Sequence, residues 1–186
     1  MQHKGTQILE TERLLLRPFR EADAEAMFRN WASDPAVTRY LTWPPHESVE
    51  ASRAIAARWE RESARLDFYQ WAVVPRSLRE PIGSLSVVRM DEAVDAMELG
   101  YCIGRPWWGM GITAEAVRAV VTYLFREVGA NRIAACHDVD NPHSGRVMEK
   151  AGMTREGTLR ASHRNNQGVV DITYYSVLAS EWPRKG

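Results

Sequence analysis

The stretch from Glu98 to Ala116 constrains this chain most. In it a short apolar run, Glu98-Leu99-Gly100-Tyr101-Cys102-Ile103, enters a glycine-rich turn, Arg105 to Gly111, that opens a helix. The helix is predicted over Thr113–Val128, with Ala116, Val117, Val120, Val121, Leu124 and Phe125 on one apolar stripe and Gly129 at its end. The first N–H groups of a helix have no internal acceptor and carry the positive end of its dipole, so a diphosphate fits there. Gly109 and Gly111 allow close approach of the backbone and positive φ, and Thr113 adds a hydroxyl. Alone, two glycines before an amphipathic helix also describe an ordinary loop. The turn is not a P-loop, because no Gly-Lys-Ser/Thr follows. It is also a poor dinucleotide fingerprint, lacking the third glycine and a preceding parallel βαβ unit.

The whole 186-residue chain reads as one domain, 1–186, of mixed α/β class. Strands are predicted at Thr11–Pro18, Phe68–Pro75, Pro81–Met90 and Met97–Ile103, the last three as an antiparallel meander. Later strands are predicted at Asn131–Val139, Met153–Leu159 and Val169–Leu178. Helices are predicted at Glu21–Ser33, Ser48–Arg65 and Pro142–Ala151, the last with proline in its first turn and Gly152 after it. Twenty-four basic and twenty-four acidic side chains cancel, which speaks against nucleic acid or an anionic membrane surface as partner. Cys102 and Cys136 form neither a disulfide framework nor a zinc spacing and read as small core residues of a reduced, cytoplasmic protein. No metal site is expected. The start of the chain lacks a signal-peptide apolar region, and no apolar run approaches the ~18 residues of a membrane span.

A second segment, Asp138 to Met153, combines a strand end, Asn141-Pro142-His143-Ser144, a helix and Glu149-Lys150-Ala151-Gly152-Met153. Together with Trp108-Gly109-Met110-Gly111-Ile112-Thr113-Ala114-Glu115-Ala116, in this order, it resembles the GNAT superfamily of acyl-CoA N-acyltransferases. Thr11 to Arg17 and Tyr40-Leu41-Thr42-Trp43-Pro44 resemble its subgroup related to the ribosomal-protein N-terminal acetyltransferases (RimJ/RimL-like). The resemblance implies a central, mostly antiparallel twisted sheet, flanked by helices and splayed into a V that holds acetyl-CoA as co-substrate. It places the diphosphate on the backbone of Trp108, Gly109, Met110, Gly111, Ile112 and Thr113. It places the pantetheine arm and thioester along Tyr101, Cys102 and Ile103, Asn141 near the arm, and Ser144 at the sulfur. Two positions depart from the family pattern. Pro106 stands where an Arg or Gln is frequent, with Arg105 beside it, and Met148 stands where many relatives carry a proton-donating Tyr.

Transfer requires a neutral amine, so a base must remove a proton from an ammonium. Glu98, at the start of the strand expected beside the thioester, is the candidate, and Ser144 is the candidate partner of the leaving thiolate. Asp138, Asp140, His137 and His163 are rivals for the base, and each also reads as an ordinary structural residue. Trp43, Trp107 and Trp108 read as ligand border or as packing, and Arg160, Arg164 and Asp171 lie in the last hairpin. The expected activity is N-acetylation of a primary amine, on a protein N-terminus or a small molecule, by direct attack in a ternary complex. The alternative is an acyl-CoA-binding sensor or partner module without turnover. Homodimerisation is left open.

Overall fold

The computed structural model describes residues 1–183 of the chain. Its strands, β1 (Leu9–Glu10), β2 (Leu14–Pro18), β3 (Gln70–Pro75), β4 (Gly83–Asp91), β5 (Ala96–Ile103), β6 (Arg132–Asp138), β7 (Thr154–Asn165) and β8 (Gly168–Leu178), form one eight-stranded sheet in the order β1-β2-β3-β4-β5-β6-β8-β7. Every neighbouring pair is antiparallel except β5 and β6. The helices are α1 (Ala24–Met27), α2 (Pro35–Thr38), α3 (Val49–Glu62), α4 (Ile112–Tyr123) and α5 (Pro142–Lys150).

The strand alternation divides the core between the two sheet faces. Leu14, Leu16, Trp71 and Val73 pack with the stripe of α4, including Val117, Val120 and Val121, and with Met148 of α5. Ala72 and Val74, the alternate residues of β3, pack on the other face with Phe19, Met27 and Trp31. β3 is therefore buried along its whole length, as a strand covered on both faces must be.

The segment predicted as one helix, Glu21–Ser33, is instead a 3-10 turn, the short α1, and a wide π turn over Phe28–Ala32. Asp23 fixes its start by accepting from the Arg20 N–H at 2.8 Å and pairing with Arg17 at 2.7 Å. The π turn admits an extra residue per turn while Trp31 and Ala32 remain buried. The strand expected to end at Leu159 runs on to Asn165.

The parallel contact between β5 and β6 decides where a ligand can enter. It spans only Ala96↔Arg132 to Leu99↔Ala135, although β5 continues to Ile103 and β6 to Asp138. Beyond Leu99 the strands separate, and a V opens in the middle of the sheet.

Candidate active site

One wall of the V is the free edge of β5. Gly104 N–H bonds the Ile82 carbonyl at 2.8 Å, and Ser84 stands opposite Cys102, so even-numbered residues here direct their backbone to β4. Alternation then turns Tyr101 and Ile103 toward the opening. The Ile103 carbonyl is taken by the Trp108 indole N–H at 2.8 Å, which leaves the N–H groups of Tyr101 and Ile103 as open donors. Cys102 faces the other way, with its sulfur 3.4 Å from the Ser84 hydroxyl.

The turn after β5 presents a run of donors. Trp108 N–H bonds the Arg105 carbonyl at 3.1 Å. Among the described residues, the N–H groups of Gly109, Met110, Gly111, Ile112 and Thr113 meet no hydrogen-bond acceptor. Gly109 and Gly111 both have φ of 76°, in the left-handed region, and Gly111 is the N-cap of α4. The loop is held from outside. Arg13 donates to the Met110 carbonyl at 3.0 Å and pairs with Glu115 at 2.6 Å, and Thr11 donates to the same carboxylate at 2.6 Å. Burial alone would raise the Glu115 carboxyl, but the bonds from Thr11 and Arg13 outweigh it and hold it below the usual carboxylate value. Arg13 thus brings a cation to the loop that sequence reasoning did not single out. Arg105 is turned to Asp34 at 3.1 Å.

The helix-side corner of the V is closed by the first turn of α5. Its N-cap residue, Asn141, accepts the Ser144 N–H at 3.1 Å on its carbonyl, while its carboxamide makes no capping bond. Ser144 Oγ lies 2.9 Å from the Tyr101 hydroxyl. Met148 is buried in the core under this turn. The helix comes close to β6 at Gly145, where a Cβ would lie 2.8 Å from His137 Nε2.

On the opposite face of the sheet, Glu98 of β5, Cys136 of β6 and His163 of β7 bring ligating atoms within 4.8 Å of one another. Cys136 Sγ donates to Glu98 at 3.4 Å, and the Tyr174 hydroxyl lies 3.1 Å from His163 Nε2. His163 reaches across because the β7–β8 register shifts between Leu159 and His163, where Ala161 has φ of 48°. Desolvation, with the Glu98 carboxylate beside it, pushes the Cys136 thiol up to about 12. Burial likewise raises the Cys102 thiol.

The rival bases have structural work. Asp138 accepts from Asn165 Nδ2 and from the Asp140 N–H, both at 2.9 Å, and His137 Nδ1 is bonded to the Asp138 carbonyl at 2.7 Å. Asp171 accepts from the Ala161 N–H at 2.8 Å, fixing the bend that carries His163. Asn166, which the sequence reading passed over, reaches three carbonyls through Nδ2: Thr38 at 2.7 Å, Leu41 at 3.0 Å and Trp43 at 2.9 Å. It fastens the β7–β8 turn to the segment containing Trp43. Asn166→Ala is expected to cost about 1–3 kcal/mol, since the Trp43 carbonyl loses its donor, whereas the Thr38 and Leu41 carbonyls keep the backbone N–H groups of Leu41 and of residue 166. A urea midpoint equal to wild type would show that water replaces the clasp without cost.

Residues 13–154 match the family described as Acetyltransferase (GNAT) domain. The chain belongs to the GNAT acetyltransferase family. Bacillus subtilis YoaA, described as an uncharacterized N-acetyltransferase, is 32% identical over 92% of this chain and 96% of its own length. The N-acetyltransferase p20 of Bacillus licheniformis, described in the same way, is 29% identical over 94% of this chain and 97% of its own. A GNAT acetyltransferase crystal structure from Bacillus anthracis superposes with a TM-score of 0.82 at 26% identity, covering 94% of this chain and 100% of that one. The chain is thus an acyl-CoA-dependent N-acetyltransferase on a GNAT fold, as the two glycine and asparagine motifs implied. Among its described residues, no helix is long and apolar enough to cross a membrane.

Proposed function

We propose that this GNAT protein transfers the acetyl group of acetyl-CoA to a primary amine by direct attack across the V. The observation that carries the reading is the division of groups between the two sheet faces. Ser144 and the open N–H run lie on the side of α4 and α5, whereas Glu98 and His163 lie on the other, and the gap between β5 and β6 joins them.

In this reading the diphosphate lies on the N–H groups of Gly109 to Thr113, with Arg13 nearby, and the arm runs along Tyr101 and Ile103 past Asn141. The thioester carbonyl oxygen meets an open N–H of that strand, where charge develops in the tetrahedral intermediate. The amine enters from the Glu98 side. Glu98 accepts its proton, directly or through water, the nitrogen lone pair attacks the thioester carbon, and the C–S bond breaks with its electron pair on sulfur. Ser144 donates a hydrogen bond to that sulfur. Cys136 is close to Glu98, but its thiol holds its proton far above neutral pH. That favours attack by the amine itself over an acetyl-cysteine intermediate.

The Escherichia coli enzyme that acetylates an alanine of ribosomal protein uS5 is 28% identical over 80% of this chain. It supports a protein N-terminal amine as the first acceptor class to try, in the cytoplasm. The test is a panel of N-terminal peptides, amino acids and polyamines incubated with acetyl-CoA and read by product mass. A gain of one acetyl group on an amine is expected, and an unmodified panel overturns the reading.

Ser144→Ala is expected to lower kcat about tenfold while the acetyl-CoA Kd stays within about twofold, because one hydrogen bond to the forming thiolate is lost. Equal kcat in the two proteins would return Ser144 to a purely structural role in α5.

A further inference from the structure

The side chain of Tyr101 is not engaged by any step above, yet it holds the one hydroxyl proposed to meet the sulfur. Its phenolic oxygen lies 2.9 Å from Ser144 Oγ and 3.0 Å from the Ser144 carbonyl oxygen. A phenol carries a single proton and can satisfy only one of these acceptors fully at a time. If the proton goes to the carbonyl, the Ser144 hydroxyl turns its own proton back to the phenolic oxygen. If it goes to Oγ, the Ser144 proton is released to point elsewhere. Both partners are fixed. Tyr101 is on β5 against Leu85 of β4, and the Ser144 N–H is bonded within the first turn of α5. Burial of the ring raises the phenol well above its ordinary value, so at neutral pH it keeps its proton and acts as a donor.

We infer that Tyr101 is a positioning residue that aims the Ser144 O–H at the departing sulfur. Before the acyl donor binds, the phenol bonds the Ser144 carbonyl and Ser144 bonds the phenol. As the C–S bond breaks, the phenol proton swings to Ser144 Oγ, and the Ser144 proton turns to the thiolate. The amine proton leaves to Glu98, the C–S electron pair stays on sulfur, and no proton leaves Tyr101. Met148, where many relatives carry a tyrosine, lies in the core and takes no part. The inference rests on the proposed placement of the thioester sulfur at Ser144.

Two measurements on Tyr101→Phe, Ser144→Ala and the double variant test it. The first needs no acceptor. The thiol of bound CoA is titrated by its thiolate ultraviolet absorbance, against bound desulfo-CoA as blank. Wild type is expected to lower that thiol's pKa relative to free CoA. Tyr101→Phe is expected to raise it by about one unit, the equivalent of a tenfold change. Identical titrations in wild type and Tyr101→Phe overturn the inference. The second uses an acetylated amine from the panel. Tyr101→Phe is expected to lower kcat about tenfold with the acetyl-CoA Kd within twofold, and the double variant to match Ser144→Ala, since Tyr101 acts only through Ser144. Losses that multiply in the double variant assign Tyr101 a merely structural role. A wild type that lowers the CoA thiol pKa but acetylates nothing would sink the functional reading and leave the Tyr101 assignment standing.

Discussion

Replacing Gly111 by valine is expected to weaken CoA binding more than about 100-fold, a loss of about 2.7 kcal/mol. Space is not the reason, because a Cβ at Gly111 would have Arg13 Nη2 as its nearest neighbour at 3.7 Å. Conformation is the reason. Gly111 sits at φ 76°, ψ 0°, where a β-branched residue is a genuine outlier and costs about 1–3 kcal/mol. The strain is relieved by turning the peptide planes at the N-cap. The same turn carries the N–H groups of Gly111 and Ile112 away from a common point. Hydrogen bonds to a charged oxygen are worth about 1.5–3 kcal/mol each, so losing one or two accounts for the effect. Gly111→Ala should fall between. The turn is at the surface, so the thermal midpoint should change far less than the affinity. Calorimetry with CoA reads the result directly, and a Kd for Gly111→Val within threefold of wild type would remove the diphosphate from this loop.

Glu98→Gln is expected to slow turnover by about 10²-fold near neutral pH, the lower range for losing a general base. Glutamine keeps the size of the side chain and an oxygen for the Cys136 thiol, which lies 3.4 Å from Glu98, but it cannot take a proton. The variant then depends on amine that is already neutral in solution. For an α-amine that fraction falls about tenfold for each pH unit below a pKa of about 8. The gap between wild type and variant should therefore widen as pH falls from 8.5 to 6.5 and narrow above the pKa of the amine. A ratio of kcat/KM that stays constant over this range leaves Glu98 as a charge that attracts ammonium and passes the proton to a water chain.

The two segments that carry the family resemblance were legible because each is contiguous. Gly109, Gly111 and the stripe of α4 stand within one strand–turn–helix, and Asn141 to Gly152 form one cap–helix–stop. Local chemistry fixes both, and the structure starts each helix within a residue of expectation, although α4 ends at Tyr123 and a π turn over Leu124–Val128 takes the rest of the predicted span. The antiparallel meander was legible for the same reason, as β-rich runs separated by short polar turns. The V was not derivable from the residues alone. It depends on where a parallel pairing between strands about thirty residues apart stops, and no residue near Leu99 or Ala135 announces that stop. His163 was equally hidden. Its approach to Glu98 needs a register shift and a positive φ at Ala161, a residue with no evident preference for that conformation. Tyr101 was noticed for its backbone, and only the packing of α5 on β5 shows what its hydroxyl does. In Glu21–Ser33 the predicted helix gives way to a π turn, which still buries Trp31 and Ala32, so burial there does not reveal the geometry.

Five unpaired N–H groups, in the turn before α4 and in its first two residues, are expected to grip a diphosphate. The most direct measurement is the crystal structure of the complex with CoA. Diphosphate oxygens are expected about 2.7–3.2 Å from the backbone nitrogens of residues between Gly109 and Thr113, with the thiol reaching Ser144 through the gap beyond Leu99. A CoA molecule bound with its diphosphate elsewhere, and those nitrogens facing only water, would contradict that expectation.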